Sequence, residues 1–122
     1  MRRIRSAVLM ATALLVLTAC GNDAPAAAPD GDGLTVVAGD MFYEPTQLSA
    51  PAGTVEITLV NEGAAQHDLV IEELGDLEVI PLVDPGDTVT GSVELEPGTY
   101  TFYCSVPGHR AAGMEGTLTV TD

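Results

Sequence analysis

The chain of 122 residues contains no lysine and no tryptophan, and only two histidines, two cysteines, three tyrosines and two phenylalanines. Its four basic residues are all arginines, and three of them, Arg2, Arg3 and Arg5, crowd the N-terminus. Beyond them Arg110 stands alone against 18 Asp and Glu residues. A surface of that balance repels nucleic acid and anionic membrane; it steers basic proteins from a distance or keeps an exported protein soluble. No segment after residue 33 carries a helical repeat longer than two turns, so a helical domain is excluded. Nor is any apolar run long enough to cross a bilayer. The run from Ala7 to Leu17 has eleven residues and is interrupted by Thr12, short of the roughly 20 that a spanning helix needs.

That run, behind the arginines, reads as an export signal over residues 1–19. It ends in Leu17-Thr18-Ala19-Cys20, which resembles the lipobox of bacterial lipoproteins, where cleavage before the cysteine exposes a thiol that is lipidated. Arg2-Arg3 lacks the continuation of a twin-arginine signal. Residues 21–33, dominated by Ala, Pro, Gly and Asp, have tether chemistry. The expected product is a domain held by lipidated Cys20 at the periplasmic or extracellular face of a bacterial cell membrane, touching it through N-terminal lipid only.

With Cys20 taken by lipid, Cys104 is a single thiol in a compartment that oxidises thiols in pairs. A buried, inert thiol is the plain explanation. Its neighbours argue otherwise.

Leu34 to Asp122 is enough chain for one small domain and too little for two. Period-two alternation recurs through it. Val55, Ile57 and Leu59 oppose Glu56 and Thr58; Val89, Val93 and Leu95 oppose Thr88, Thr90, Ser92 and Glu94; Leu118 and Val120 oppose Thr117, Thr119 and Thr121. Turn signals separate these runs: Pro51-Ala-Gly53, Asn61-Glu-Gly63, Asp84-Pro-Gly-Asp87 and Glu96-Pro-Gly98. The pattern predicts an all-β fold, a Greek-key β-sandwich of about seven to eight strands. It leaves open whether Leu74 to Asp76 is a short irregular excursion.

In Thr99-Tyr-Thr-Phe-Tyr-Cys104, alternation puts Cys104 on the same face as Tyr100 and Phe102, at the end of a strand. Pro107-Gly108 then turns the chain, His109 follows, and Gly113 precedes Met114 just before the last strand. One loop thus carries three candidate ligands, and His67 opens the strand His67-Asp-Leu-Val-Ile71. Two imidazoles, one thiolate and a weak thioether match the soft environment of an electron-transfer copper site. Structural zinc takes four strong ligands, and a thioether is a poor substitute. A Cys104–His109 nucleophile would lack an evident oxyanion hole and a partner to orient the histidine.

The segment from Gly98 to His109 with Gly113-Met114, and Asn61-Glu-Gly63 with His67-Asp68 upstream, resembles the cupredoxins, the small blue copper proteins. Phe42, Pro45, Leu48 and the stretch from Ala52 to Asn61 look like their early strands. The resemblance covers residues 34–122. It implies one copper ion, cycling between Cu(I) and Cu(II), with His67, Cys104 and His109 in a near-trigonal plane and Met114 at a longer axial distance. Four residues separate Cys104 from His109 and His109 from Met114, which looks closer to auracyanins and rusticyanin than to plastocyanins. Where the family often has Asn after the first histidine, Asp68 stands here; Asp68, Asn61 and Ser105 are the candidates for bonds around the ligands. A binuclear or multicopper arrangement would need a second cysteine in the loop or further histidines.

The activity implied is one-electron transfer, not enzymatic turnover. The electron would leave through the edge of His109, across a docking patch of Pro107, Arg110, Ala111 and Ala112, to redox proteins with a basic docking face. The protein is expected to act as a monomer. The alternative is copper delivery or storage at the envelope, disfavoured because only Met41 and Met114 remain after the signal.

Overall fold

The alternation becomes nine strands in a computed structural model that describes residues 33–122. They are β1 (Leu34–Gly39), β2 (Phe42–Glu44), β3 (Gln47–Pro51), β4 (Gly53–Asn61), β5 (His67–Ile71), β6 (Leu77–Val83), β7 (Thr88–Leu95), β8 (Gly98–Tyr103) and β9 (Glu115–Thr121). The expected export signal, lipidated Cys20 and most of the tether lie outside the described residues. The strand count exceeds seven to eight because the early segment divides at Pro45-Thr46, where the chain leaves one sheet for the other. Proline has no N–H to donate to a ladder, so a break there is expected. The undecided segment after β5 is a 3₁₀ turn, Glu72–Leu74, closed by Gly75 in the left-handed region.

Two sheets form, with orders β2-β1-β4-β7 and β3-β9-β8-β5-β6. Most connections pass from one sheet to the other, as a Greek-key sandwich requires. β1 runs parallel to β4 and β3 parallel to β9; the remaining pairs are antiparallel. The predicted inward faces are the buried ones: Val55, Ile57 and Leu59 from β4, Val93 and Leu95 from β7, Leu118 and Val120 from β9. They meet Leu69, Ile71, Ile80 and Phe102 in one core. Each such aliphatic side chain stabilises the fold by about 1.5–3 kcal/mol when fully buried.

This topology decides where the ligand segments meet. β5 pairs antiparallel with β8, with Val70 opposite Tyr103 and Ile71 opposite Phe102. The start of β5, where His67 sits, therefore lies beside the end of β8, where Cys104 follows. β5 is buried at every position, and its pairing with β6 shifts register between His67 and Val70. Irregularities of this kind re-aim side chains beside functional sites.

Candidate metal centre

The loop from Cys104 to Met114 is wound on itself by its own backbone. The amide of His109 donates to the Val106 carbonyl (3.0 Å), that of Met114 to His109 (3.1 Å), and that of Cys104 to Met114 (3.1 Å). Gly108 makes the turn at φ 85°, a left-handed conformation that favours glycine. The three residues the sequence singles out on this loop are thus tied by main-chain bonds.

His67, Cys104 and His109 converge. Their Nδ1, Sγ and Nδ1 atoms all lie within 4.8 Å of one another. The two Nδ1 atoms are 3.2 Å apart, and Sγ is 3.5 Å from His109 and 3.9 Å from His67. Bonds of about 2.0–2.1 Å to imidazole and 2.3 Å to thiolate, the lengths zinc makes, put donors of one trigonal plane about 3.5 Å apart. The spacing therefore fits a divalent first-row ion. Met114 is fully buried alongside, and His109, at 6% exposure, is the one member of the set that reaches toward solvent.

Burial, and then the neighbouring His109, hold His67 below the usual imidazole pKa. Burial pushes the Cys104 thiol up, while the backbone N–H groups of Asp68 and Val106 draw it the other way. In the metal-free protein both shifts favour the neutral forms of His67 and Cys104, and a metal ion would displace the thiol proton. Polar atoms this deep need a partner. For His67 Nε2 none among the described residues is within hydrogen-bonding distance, and Asp40 Oδ1 stands 3.7 Å away.

Of the three candidates for bonds around the ligands, Asp68 and Ser105 are joined directly. Asp68 Oδ1 accepts the Ser105 N–H at 2.7 Å and Oδ2 accepts the Ser105 hydroxyl. Asn61 works at one remove: Nδ2 donates to the carbonyls of Ala65 and Val83, both at 2.8 Å, and Oδ1 accepts the Gly63 N–H at 2.9 Å. It braces the loop that delivers His67 without touching the cluster's donors.

Two contributors escaped the sequence reading. Tyr43 is buried, packs against Phe102 at 5.4 Å and donates its hydroxyl to the Asp68 carbonyl. Asp40 faces His67. Neither bears a signal in one sequence, because each reaches the site from the β1–β2 hairpin.

Pro107, Ala111 and Ala112 are exposed around His109. Arg110 is differently placed from a free docking cation. Its guanidinium pairs with Glu72 and Glu115, each at 3.0 Å, and lies 4.1 Å over the Tyr103 ring. The Tyr103 hydroxyl in turn donates to Asp76 at 2.7 Å.

Residues 8–120 match the family model of the cupredoxin-like domain. A plastocyanin of Prochlorothrix hollandica is 37% identical over 87 residues, covering 65% of this chain and 63% of that protein, so the match spans a little under two thirds of that relative. A plastocyanin of Sambucus nigra is 33% identical over 93 residues, covering 67% of this chain and 90% of its own. Among solved structures, reduced auracyanin from Roseiflexus castenholzii superposes with a TM-score of 0.67 at 24% identity, over 76% of this chain and 99% of that one.

Proposed function

The chain belongs to the cupredoxin-like domain family, and from that premise we propose that it is a one-electron carrier whose copper is held by His67, Cys104, His109 and Met114. The observation that supports this reading most is the convergence of two imidazole Nδ1 atoms and one thiol in a buried cluster. Copper, when bound, supplies the Cu(II)/Cu(I) couple. His67 and His109 offer neutral imidazoles and Cys104 a thiolate, a set that suits both oxidation states, with the Met114 thioether as the weak fourth donor. The backbone-tied loop and the Asp68–Ser105 bonds hold these side chains in place, so little has to move when an electron arrives. Cys104 is itself buried as part of the hydrophobic core, which keeps water from the cysteine side.

His109 is the exit. It lies among the exposed Pro107, Gly108, Ala111 and Ala112, small side chains over which a partner can approach the imidazole. The surrounding molecule is strongly acidic, which favours partners with a basic docking face and gives association rates that fall as salt rises. Arg110 acts at the rim of this surface, with its charge shared between Glu72 and Glu115.

Export by residues 1–19 and lipid on Cys20 complete the reading. Among the described residues no helix is long and apolar enough to cross a membrane; in this reading the anchor is the lipid on Cys20. Cys20→Ala should move the protein from the membrane to the soluble fraction; an unchanged membrane fraction would remove the anchor from the proposal.

Copper delivery is the weaker reading. Carriers that hand metal on use exposed ligands, whereas these are buried. The deciding experiment is titration of the protein with Cu(II) beside Cys104→Ser. An intense thiolate-to-copper band at one equivalent, absent in the variant and bleached by reductant, is the expected result. Tight Cu(I) binding without that band would favour delivery, and binding of neither ion would refute both.

A further inference from the structure

We propose that Asp40 is a positioning residue for His67: its carboxylate selects the imidazole tautomer with the proton on Nε2, which leaves the Nδ1 lone pair turned to Cys104 and His109. The proposal rests on the reading of His67 as a ligand. It begins from an orphaned atom. His67 is fully buried, and its Nε2 is the buried side-chain nitrogen or oxygen without a hydrogen-bond partner among the described residues. The acidic group facing it is Asp40 Oδ1, at 3.7 Å.

Asp40 is placed there by two pieces of chain. Gly39 pairs with Phe42 across the β1–β2 turn, so Asp40 and Met41 form its tip. The loop before β5 then grips the carboxylate, since Oδ1 accepts the N–H of Ala64 at 2.8 Å and of Ala65 at 3.4 Å. Gly63 keeps the line between the two groups open: a Cβ on it would stand 2.5 Å from Oδ1 and 2.9 Å from Nε2. The hairpin tip, the loop and the histidine are therefore arranged around one oxygen.

A neutral imidazole carries one N–H and one lone pair, and a carboxylate facing Nε2 favours the proton on that side. Such partners also raise the basicity of the opposite nitrogen and orient the ring, and their loss typically costs about 10–100-fold in metal affinity.

The test uses Asp40→Ala and Asp40→Asn. In the metal-free protein, ring ¹⁵N shifts should show His67 as the Nε2–H tautomer in the wild type and a gain of Nδ1–H tautomer in Asp40→Ala. With copper, Cu(II) affinity should fall about 10–100-fold in Asp40→Ala. Asp40→Asn keeps an oxygen for Ala64 and Ala65 and should retain the fold, so loss of affinity there reports the charge at Nε2. An unchanged tautomer in both variants would overturn the proposal, as would full Cu(II) affinity in both. If the wild type bound no copper, the proposed function would fail, while the tautomer measurement would still decide the role of Asp40.

Discussion

Asp68 holds Ser105 with both carboxylate oxygens, one receiving the backbone N–H and the other the hydroxyl, across 37 positions of sequence. Through this pair, the residue after His67 is bonded to the residue after Cys104. Both carboxylate oxygens act as acceptors in this pair.

Replacing Asp68 should loosen the cluster before it unfolds the domain. Asp68→Ala strands the Ser105 amide and hydroxyl, at a cost of about 1–3 kcal/mol for a part-buried donor left unmet. For a domain of this size that lowers the metal-free melting temperature by roughly 4–8 °C for each kcal/mol. Asp68→Asn keeps one acceptor and should lose less. Thermal denaturation of the three metal-free proteins checks the order, and equal melting temperatures would mean that the pair contributes nothing.

Metal removal should be visible in the same experiment. An ion that binds the folded cluster and not the unfolded chain adds about 4 kcal/mol at a thousandfold excess over its dissociation constant. The copper-loaded and metal-free proteins should therefore melt apart, and Cys104→Ser should remove most of the difference. Superimposed curves would speak against a preformed site.

The metal-free protein should be less stable on both sides of neutrality. His67 has a folded pKa below its ordinary 6.5, so the unfolded chain binds more protons as pH falls through 6.5, and stability is lost there. Cys104 has a folded pKa above its ordinary 9.0, so the folded chain keeps its proton longer, and stability is lost as pH rises past 9.0. Urea midpoints across pH measure both arms. The alkaline arm should flatten in Cys104→Ser and the acid arm in His67→Asn.

Neutralising Arg110 should alter partner association and leave the centre intact. In Arg110→Gln, Glu72 and Glu115 lose their shared cation. The stability change should be within about 1 kcal/mol, because exposed pairs contribute little. The thiolate-to-copper band should be unchanged, and the rate with a basic redox partner should rise and become more sensitive to salt. A shifted band would place Arg110 in the centre; a flat salt dependence would remove electrostatic steering.

Much of this was legible in one sequence where the signal was local. Alternation named the inward residues of β4, β7 and β9, and the turn signals fell between strands, because burial on one face of a strand leaves a period-two record. Cys104, His109 and Met114 were legible because one short loop carries them. The division of β2 from β3 was less so: the switch of sheets at Pro45-Thr46 is a property of which neighbours the two pieces find.

By itself, then, the sequence determined the donor types and the strand pattern, since both follow from residue chemistry and nearest-neighbour spacing. It did not determine the company those donors keep. That His67 comes within 3.2 Å of His109 depends on the β5–β8 pairing. That Asp40 faces Nε2 and Tyr43 bonds to Asp68 depends on a hairpin packed against them from the other sheet. Pairing between distant segments is set by the packing of the whole core and leaves no periodicity in any one stretch, so only the tertiary structure decided it.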